Sequence, residues 1–435
     1  QRAHTPEEIQ LAHIALAEFY IEYSYDQCKF HAWQAMKGPL ESSNIYYALG
    51  KTYWYHSRYD SATLWLEKAL AVSELHQDTL NYAKSLHIMC MVHFYKAEFE
   101  KAALDLTRSI KLFEELKDSV QMQIAYDNLG WLYDKKGEYG KATEALMAAY
   151  RIDLNFGTIW GQSYATSENF NPLLDININK LMVKEAQQQI ATAELKENKF
   201  QLADGYYKLG HLLRLENKYE EALMTLEKAE MLFEDLNATK YIGETWLELG
   251  QLYQDQNFDL EALYYYEKAL KAFVHEHFFP RVDLILEWIG HIHFKNNDYD
   301  KAKHYYNRGL QLSDTLEHPM AVCLFHRKLA TVYTALGDHQ SSVAQARESY
   351  QIATKIGAES SRTSAARVLY ESFKAQGQLD SALFYHEIHI ALSTMKERVI
   401  IDRSRQEFQV SYDVHNKVQQ IERLNTQNGE KEARI

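Results

Sequence analysis

The chain has 435 residues, and 47 basic against 60 acidic side chains give it a formal net charge of −13. Charge of this sign repels a phosphate backbone, which argues against nucleic-acid binding. No apolar run approaches the roughly 20 residues that a membrane-spanning helix needs. Only 5 prolines and 17 glycines interrupt a composition rich in helix-forming residues. We therefore expect one all-α body without a membrane span in this sequence.

Small residues recur along the chain at a spacing of 40 residues. The first column contains Gly50, Gly130, Gly210, Gly250 and Gly290. The second column lies twelve residues further on, is broken only by Met182 and Ser342, and consists of Ala62, Ala102, Ala142, Ala222, Ala262, Ala302 and Ala382. A fixed period of this size is typical of stacked helical repeats.

Each unit is predicted to hold two amphipathic helices joined by a short turn, because apolar residues recur at i, i+3, i+4 and i+7. The predicted turns include residues 137–140, 217–220, 297–300 and 337–340, where Gly or Asn ends the first helix. The first unit step is 34 residues and the later steps are 40. The units begin near residues 9, 43, 83, 123, 163, 203, 243, 283, 323 and 363.

These columns resemble the tetratricopeptide repeat, whose signature is Leu-Gly, then Tyr, then Ala, an aromatic or Leu, and Ala. One unit carries the whole signature in Leu49-Gly50, Tyr53, Tyr59, Ala62, Leu66 and Ala69. The resemblance implies a right-handed superhelical solenoid of about ten helix pairs. Repeats of 40 residues imply taller helices than the usual 34.

One unit departs from the pattern between residues 155 and 185. Asn171-Pro172 falls where the first helix should run, so we expect a kink or an extended loop there. Two interpretations stay open: a tolerated irregularity, or a bend that contacts a ligand through Trp160, Tyr164, Phe170 and Asn171. The predicted organisation is an N-terminal array (1–162), a degenerate repeat (163–202), a C-terminal array (203–396) and a helical stalk or linker (397–435).

The tail carries a second resemblance. Ser393–Glu397, Arg405–Phe408 and Lys417–Leu424 look like the linker of membrane sensors of Bacteroidetes-type bacteria. This resemblance implies a periplasmic array tethered to the inner membrane, an output domain beyond Ile435, and a homodimer formed through the C-terminal helix. The alternative is a cytoplasmic scaffold or peptide-responsive regulator. Because the chain starts at Gln1, we expect that a signal peptide or another stretch preceded it.

No arrangement of residues predicts catalysis, a metal site or a cofactor. The sequence has no phosphate-binding loop, no dinucleotide fingerprint and no context for a nucleophilic serine. His386 and His389 are one residue short of the zinc-protease spacing. We interpret Cys28, Cys90 and Cys323 as small core residues, because their number is odd and their spacing is irregular. The expected function is therefore non-enzymatic.

A superhelix of this family binds a protein or peptide on its concave wall, to which the first helix of each pair contributes. Chaperone-tail receptors have repeated Lys and Asn there, and this chain lacks that set. Aromatic side chains beside hydrogen-bonding groups fit peptide hot spots. The candidate binding residues are Tyr47, Lys51, Trp54, His87, Asp127, Trp131, Tyr207, His211, Arg214, Gln251, His291 and Arg327.

Overall fold

Helix ends recur every 20 residues in the computed structural model, which describes residues 5–21, 25–156, 172–276 and 278–394 and also Glu397. A positive φ follows the first-array helices at Ser57, Gln77, Ala97, Lys117 and Gly137, and the same spacing continues from Glu197 to Gly377. Two such helices make one 40-residue unit. The described residues form α-helices and one short 3-10 helix, with no strand among them.

Most of the helices have 17 residues, as expected for tall repeats. In the first half of the chain they are α1 (Pro6–Tyr20), α2 (Tyr25–Ala35), α3 (Ser43–Tyr55), α4 (Tyr59–Leu75), α5 (Thr79–Tyr95), α6 (Phe99–Glu115), α7 (Ser119–Lys136), α8 (Tyr139–Phe156) and α9 (Pro172–Leu195). In the second half they are α10 (Lys199–Leu215), α11 (Tyr219–Asp235), α12 (Thr239–Asp255), α13 (Asp259–His275), the 3-10 helix Phe279–Arg281, α14 (Val282–Lys295), α15 (Tyr299–Thr315), α16 (Pro319–Ala335), α17 (His339–Lys355), α18 (Glu359–Ala375) and α19 (379–394).

The glycine column marks where the two helices of a pair cross most closely. A Cβ added to Gly250 would lie 2.4 Å from the ring of Tyr266, and one added to Gly50 would lie 2.6 Å from Leu66 Cγ. The alanine column is buried along its described length. The small and large residues therefore interlock as the sequence predicted, and the all-α solenoid is confirmed.

The three cysteines are buried free thiols, which confirms their interpretation as core residues. Burial raises the pKa of Cys28 to about 11, against the opposing hydrogen bond with Thr52. Ser342, which interrupts the alanine column, is buried as well, and its hydroxyl donates to the carbonyl of Ala330 at 2.9 Å. A hydroxyl fits at this helix crossing because the paired helix α16 supplies its acceptor.

Pro172 begins a helix where a break was expected. It is the first residue of α9, a position where the missing backbone N–H of proline costs no helical hydrogen bond. Residue 177 falls where the 20-residue spacing would place a turn, but it lies inside α9, which runs for 24 residues. The expected loop is therefore wrong for residues 172–185. Trp160, Tyr164, Phe170 and Asn171, together with the stalk beyond Glu397, lie outside the described residues.

Candidate binding surface

First helices contact one another within each array, as α3 does with α5, α10 with α12 and α16 with α18, so their facing sides form rows. In α10 this face carries Tyr207, His211 and Arg214, which are four and three residues apart and therefore share one side of the helix. We call this row of residues, at equivalent positions of each first helix, the first-helix stripe. It contains the twelve candidate residues predicted from the sequence.

Arg214 is the centre of a buried ionic network between α10 and α12. Its Nε donates to Glu248 Oε1 at 2.5 Å, its Nη1 to Asp255 Oδ2 at 2.6 Å and its Nη2 to Gln251 Oε1 at 3.1 Å. His211 Nδ1 lies 2.8 Å from the same Glu248 oxygen. Only 9% of Arg214 and 5% of Glu248 are exposed, so the network is held in a low-dielectric setting.

The pKa values of this network follow from its geometry. Burial alone would raise the pKa of Glu248, but the charges of His211 and Arg214 and their hydrogen bonds bring it down to about 2. Burial raises the pKa of the Tyr207 hydroxyl well above its usual value, and the carboxylates of Glu244 and Glu248 raise it further. Glu248 is therefore ionised and Tyr207 is a neutral donor at neutral pH.

The same stripe is more deeply buried in the N-terminal array. His87 is 8% exposed, and its Nε2 lies 2.8 Å from the amide nitrogen of Asn128 on the next first helix. Burial lowers the pKa of His87 to about 4, with a smaller effect from the charge of Lys51. Asp127 is 2% exposed and accepts a hydrogen bond from Gln123 Nε2 at 2.5 Å. These polar groups are held in place by contacts within the chain.

Aromatic residues of the stripe pack against their neighbours. The Trp131 ring lies 4.0 Å from that of Phe94, measured between centroids. Trp54 packs on Tyr55 at 4.7 Å, and its indole N–H is buried without an acceptor among the described residues. Tyr47 is half-buried between two apolar clusters. Substituting these rings would therefore affect stability as well as any binding role.

The remaining candidate residues are more accessible. His291 is exposed on α14, while Lys51, Gln251 and Arg327 are half-buried. The structure thus brings His211, Arg214 and Gln251 into one network and distributes the other candidates along neighbouring first helices. Sequence reasoning missed Glu248, Asp255 and Asn128, the partners of the predicted residues. The sequence pattern that points to such a partner is a polar side chain that can pair with the predicted residue and that lies about one repeat length further along the chain.

Two parts of the array that are about five repeats apart in the sequence also contact each other. His56 Nε2 at the end of α3 lies 3.2 Å from the carbonyl oxygen of Glu276, which is 220 residues away, and the Tyr55 and Phe278 rings are 5.5 Å apart. The ring of Tyr95, the last residue of α5, lies 4.9 Å from that of His318, at nearly the same separation along the chain. We call this region the turn-to-turn contact.

Gly137 and Glu359 extend the turn-to-turn contact to the end of α7. A Cβ added to Gly137 would lie 2.5 Å from the Cβ of Glu359, at the start of α18. The contact therefore runs along three successive first helices of the N-terminal array, α3, α5 and α7. Successive turns of the superhelix meet there.

The comparisons with known proteins agree with this architecture. The tetratricopeptide repeat family matches residues 43–74, 124–156, 203–235 and 285–315. The chain contains tetratricopeptide repeats. A comparison with curated proteins found no match.

Solved structures that are similar to this chain have low sequence identity to it. A Rap protein complexed with competence and sporulation factor is 15% identical, with a TM-score of 0.52 over 92% of this chain and 100% of that chain. A putative kinesin light chain from Podosopora anserina is 19% identical, with a TM-score of 0.39 over 46% and 99%. BtubC from P. vanneervenii is 16% identical, with a TM-score of 0.45 over 52% and 93%.

Within the described ranges, charged side chains pair with one another, as Arg214 does with Glu248. There, no three His, Cys, Asp or Glu side chains are grouped so that they could hold a metal ion. None of the described helices has both the length and the hydrophobicity of a membrane span. His386 instead packs on Tyr370, with ring centroids 4.5 Å apart, and His389 Nδ1 lies 3.2 Å from the carbonyl oxygen of Thr363.

Proposed function

We propose that the chain is a non-enzymatic interaction module in which a tetratricopeptide superhelix binds a peptide or protein segment along the first-helix stripe. Repeat solenoids present extended surfaces of this kind, formed by the small rotation between successive repeats. In the leading form of the proposal, binding is relayed through the C-terminal helix to an output domain, and the array is periplasmic.

The position of the buried charges carries this proposal. In the described part of the chain, the buried Arg, His, Asp and Glu residues are His56, His87, Asp127, Arg214 and Glu248, and all of them lie on or directly after first helices. Such groups are seldom buried unless they are paired, because burial removes their hydration. An array needed only as a spacer would be served equally well by apolar residues at these positions.

The stripe suits the backbone of an extended polypeptide. A peptide segment presents one donor and one acceptor at each residue. The amide of Gln251 and the imidazoles of His211 and His291 supply both kinds of group along neighbouring first helices. Since Arg214 and Glu248 already fix the local geometry, little side-chain entropy remains to be lost on binding.

Peptide-library binding tests the proposal. Gln251→Ala and His291→Ala remove accessible groups of the stripe. We expect each substitution to lower the affinity for a selected peptide by about tenfold, which corresponds to roughly 1.4 kcal/mol. The matched control is His304→Ala, because His304 is exposed on a second helix, α15. Unchanged affinity in the stripe variants, with their helix content intact, would rule out this surface.

A peptide-responsive regulator without a membrane stage is the second candidate. The likeness of fold to a Rap protein complexed with competence and sporulation factor is the observation in its favour. Cell fractionation separates the two candidates: release by osmotic shock or retention with the inner membrane supports the periplasmic form, whereas recovery with cytoplasmic markers supports the regulator.

A further inference from the structure

We propose that the turn-to-turn contact is a latch that opens and closes, and that a ligand of the first-helix stripe shifts the balance between its two states. This inference deepens the proposed function and rests on it for the identity of the ligand. The latch itself, however, is a property of the unliganded chain. It joins α3, α5 and α7 to residues that lie between five and six repeat lengths further along.

The latch has the composition of an interface between two separate bodies. Its centre is apolar, since one cluster contains Phe94 and Leu129 from the N-terminal array together with Cys323 and Ala358 from the C-terminal array. Contacts within a chain of this kind behave as transient interfaces do, so relative motion is the default expectation.

Polar groups surround this centre. His56 reaches across to the Glu276 carbonyl, and the Lys240 ammonium lies over the rings of Tyr55 and Phe278, at 4.6 and 5.2 Å from their centroids. Hydrogen bonds and cation–π contacts of this kind exchange readily for contacts with water. Parting the polar rim would therefore cost little, so the free energy that closes the latch comes mainly from the apolar centre.

Helix ends, instead of helix faces, make the latch. Within a pair, two helices pack along their length, but here the C-terminal ends of α3 and α5 meet the segments just before α14 and α16. Opening the latch would thus keep each helix pair together but uncover the apolar residues that the two arrays share. A ligand that binds the open array more tightly would shift the population toward it, which couples binding to the shape of the superhelix.

Gly137 gives a direct way to open the latch. Its φ is +84°, and an added Cβ would meet the Cβ of Glu359 at 2.5 Å, so Gly137→Ala adds both backbone strain and a clash between turns. Gly337 has a φ of +76° and occupies the equivalent turn five repeats later, but nothing lies within 4 Å of an added Cβ. Gly337→Ala is therefore the matched control for strain without the clash.

Small-angle scattering and hydroxyl-radical footprinting of the unliganded protein test the latch. We expect Gly137→Ala to have a larger radius of gyration than Gly337→Ala and faster oxidation of Tyr95 and Phe278. Oxidation of Phe233, which is buried in α11 away from the contact, should not change. Equal radii and equal footprints for the two variants would overturn the latch.

A second variant keeps the test decisive if Gly137→Ala fails to fold. Lys240→Met removes the ammonium that lies over the Tyr55 and Phe278 rings and adds neither backbone strain nor a clash. We expect faster oxidation of Tyr95, which contacts His318 elsewhere along the contact, than in the wild type. Equal oxidation of Tyr95 in Lys240→Met and the wild type would overturn the latch. Because no peptide is used, either result is independent of whether the stripe binds one.

Discussion

The guanidinium of Arg214 and the carboxylate of Glu248 form a buried pair, with Nε 2.5 Å from Oε1, that ties α10 to α12. Removing one partner leaves the other charge buried without the counter-ion that directly contacts it. We expect Arg214→Met to lower the free energy of unfolding by about 3–5 kcal/mol, measured by urea denaturation. This loss of stability should exceed the loss caused by removing one partner of an exposed ion pair such as Lys199–Asp235.

A double-mutant cycle separates the charge effect from the packing effect. Arg214→Met combined with Glu248→Leu removes both charges at once, and the double variant should be more stable than the sum of the single losses predicts. Simple additivity would show that the two side chains contribute independently, contrary to the short contact between them.

The stability of the array should fall as the pH drops below neutral because of His87. Its folded-state pKa is about 4, whereas an unfolded histidine has a pKa of about 6.5. Between these values the unfolded chain binds the additional proton, so stability decreases as the pH falls. We expect a loss of about 2 kcal/mol between pH 7 and pH 5 from this residue alone.

His87→Gln is the variant that isolates this effect. Glutamine keeps an acceptor for the Asn128 amide but does not titrate, so the pH dependence of unfolding between pH 7 and pH 5 should be shallower than in the wild type. Glu248 acts in a lower window, because its stabilisation is present above its unfolded pKa and is lost as the pH falls toward 2. Parallel pH profiles for the wild type and His87→Gln would contradict the assignment.

The sequence predicted helix packing well because that packing is local and periodic. Gly250 and Tyr266 are close in the chain, so one repeat contains both the small residue and the large one that fills its space. The turns were only partly predicted. Gly137 and Asn217 are residue types that favour the left-handed conformation, so their positions predict it. Ala97 and Lys117 adopt the same conformation although their side chains do not favour it.

Contacts between distant repeats could not be predicted from the sequence. Glu248 pairs with Arg214 through the relative register of two repeats, which the sequence of neither repeat encodes alone. The meeting of Gly137 with Glu359 depends on small rotations added over about five repeats, and a slight change in each would move the turns apart. The residues of the first-helix stripe could be named from the sequence, whereas their partners and their burial could not.

Lys117 offers a test of the strain in the helix-ending turns. Its φ is 54°, a region that costs a residue with a Cβ roughly 1–2 kcal/mol. Lys117→Gly should relieve this strain, and the greater entropy of the unfolded glycine chain offsets part of the gain. We expect a net stabilisation of about 0.5 kcal/mol in thermal unfolding. A loss of stability would show that the lysine side chain contributes more than the turn geometry indicates.

Gly290 tests whether the glycine column exists for helix crossing. An added Cβ would lie 2.4 Å from the Tyr306 ring, a large side chain that is almost fully buried. Since such overpacking costs about 1–3 kcal/mol, we expect Gly290→Ala to destabilise the array by that amount, even though alanine is the better helix former.

Gly140 is the control for Gly290, because it also lies in a helix, α8, but has no atom within 4 Å of an added Cβ. Gly140→Ala should therefore stabilise the protein by about 0.5–1 kcal/mol through backbone entropy alone. Opposite shifts in the midpoint of thermal unfolding would show that the glycine column is needed where helices such as α14 and α15 approach closely. If both substitutions moved the midpoint in the same direction, helix propensity and not packing would govern these positions.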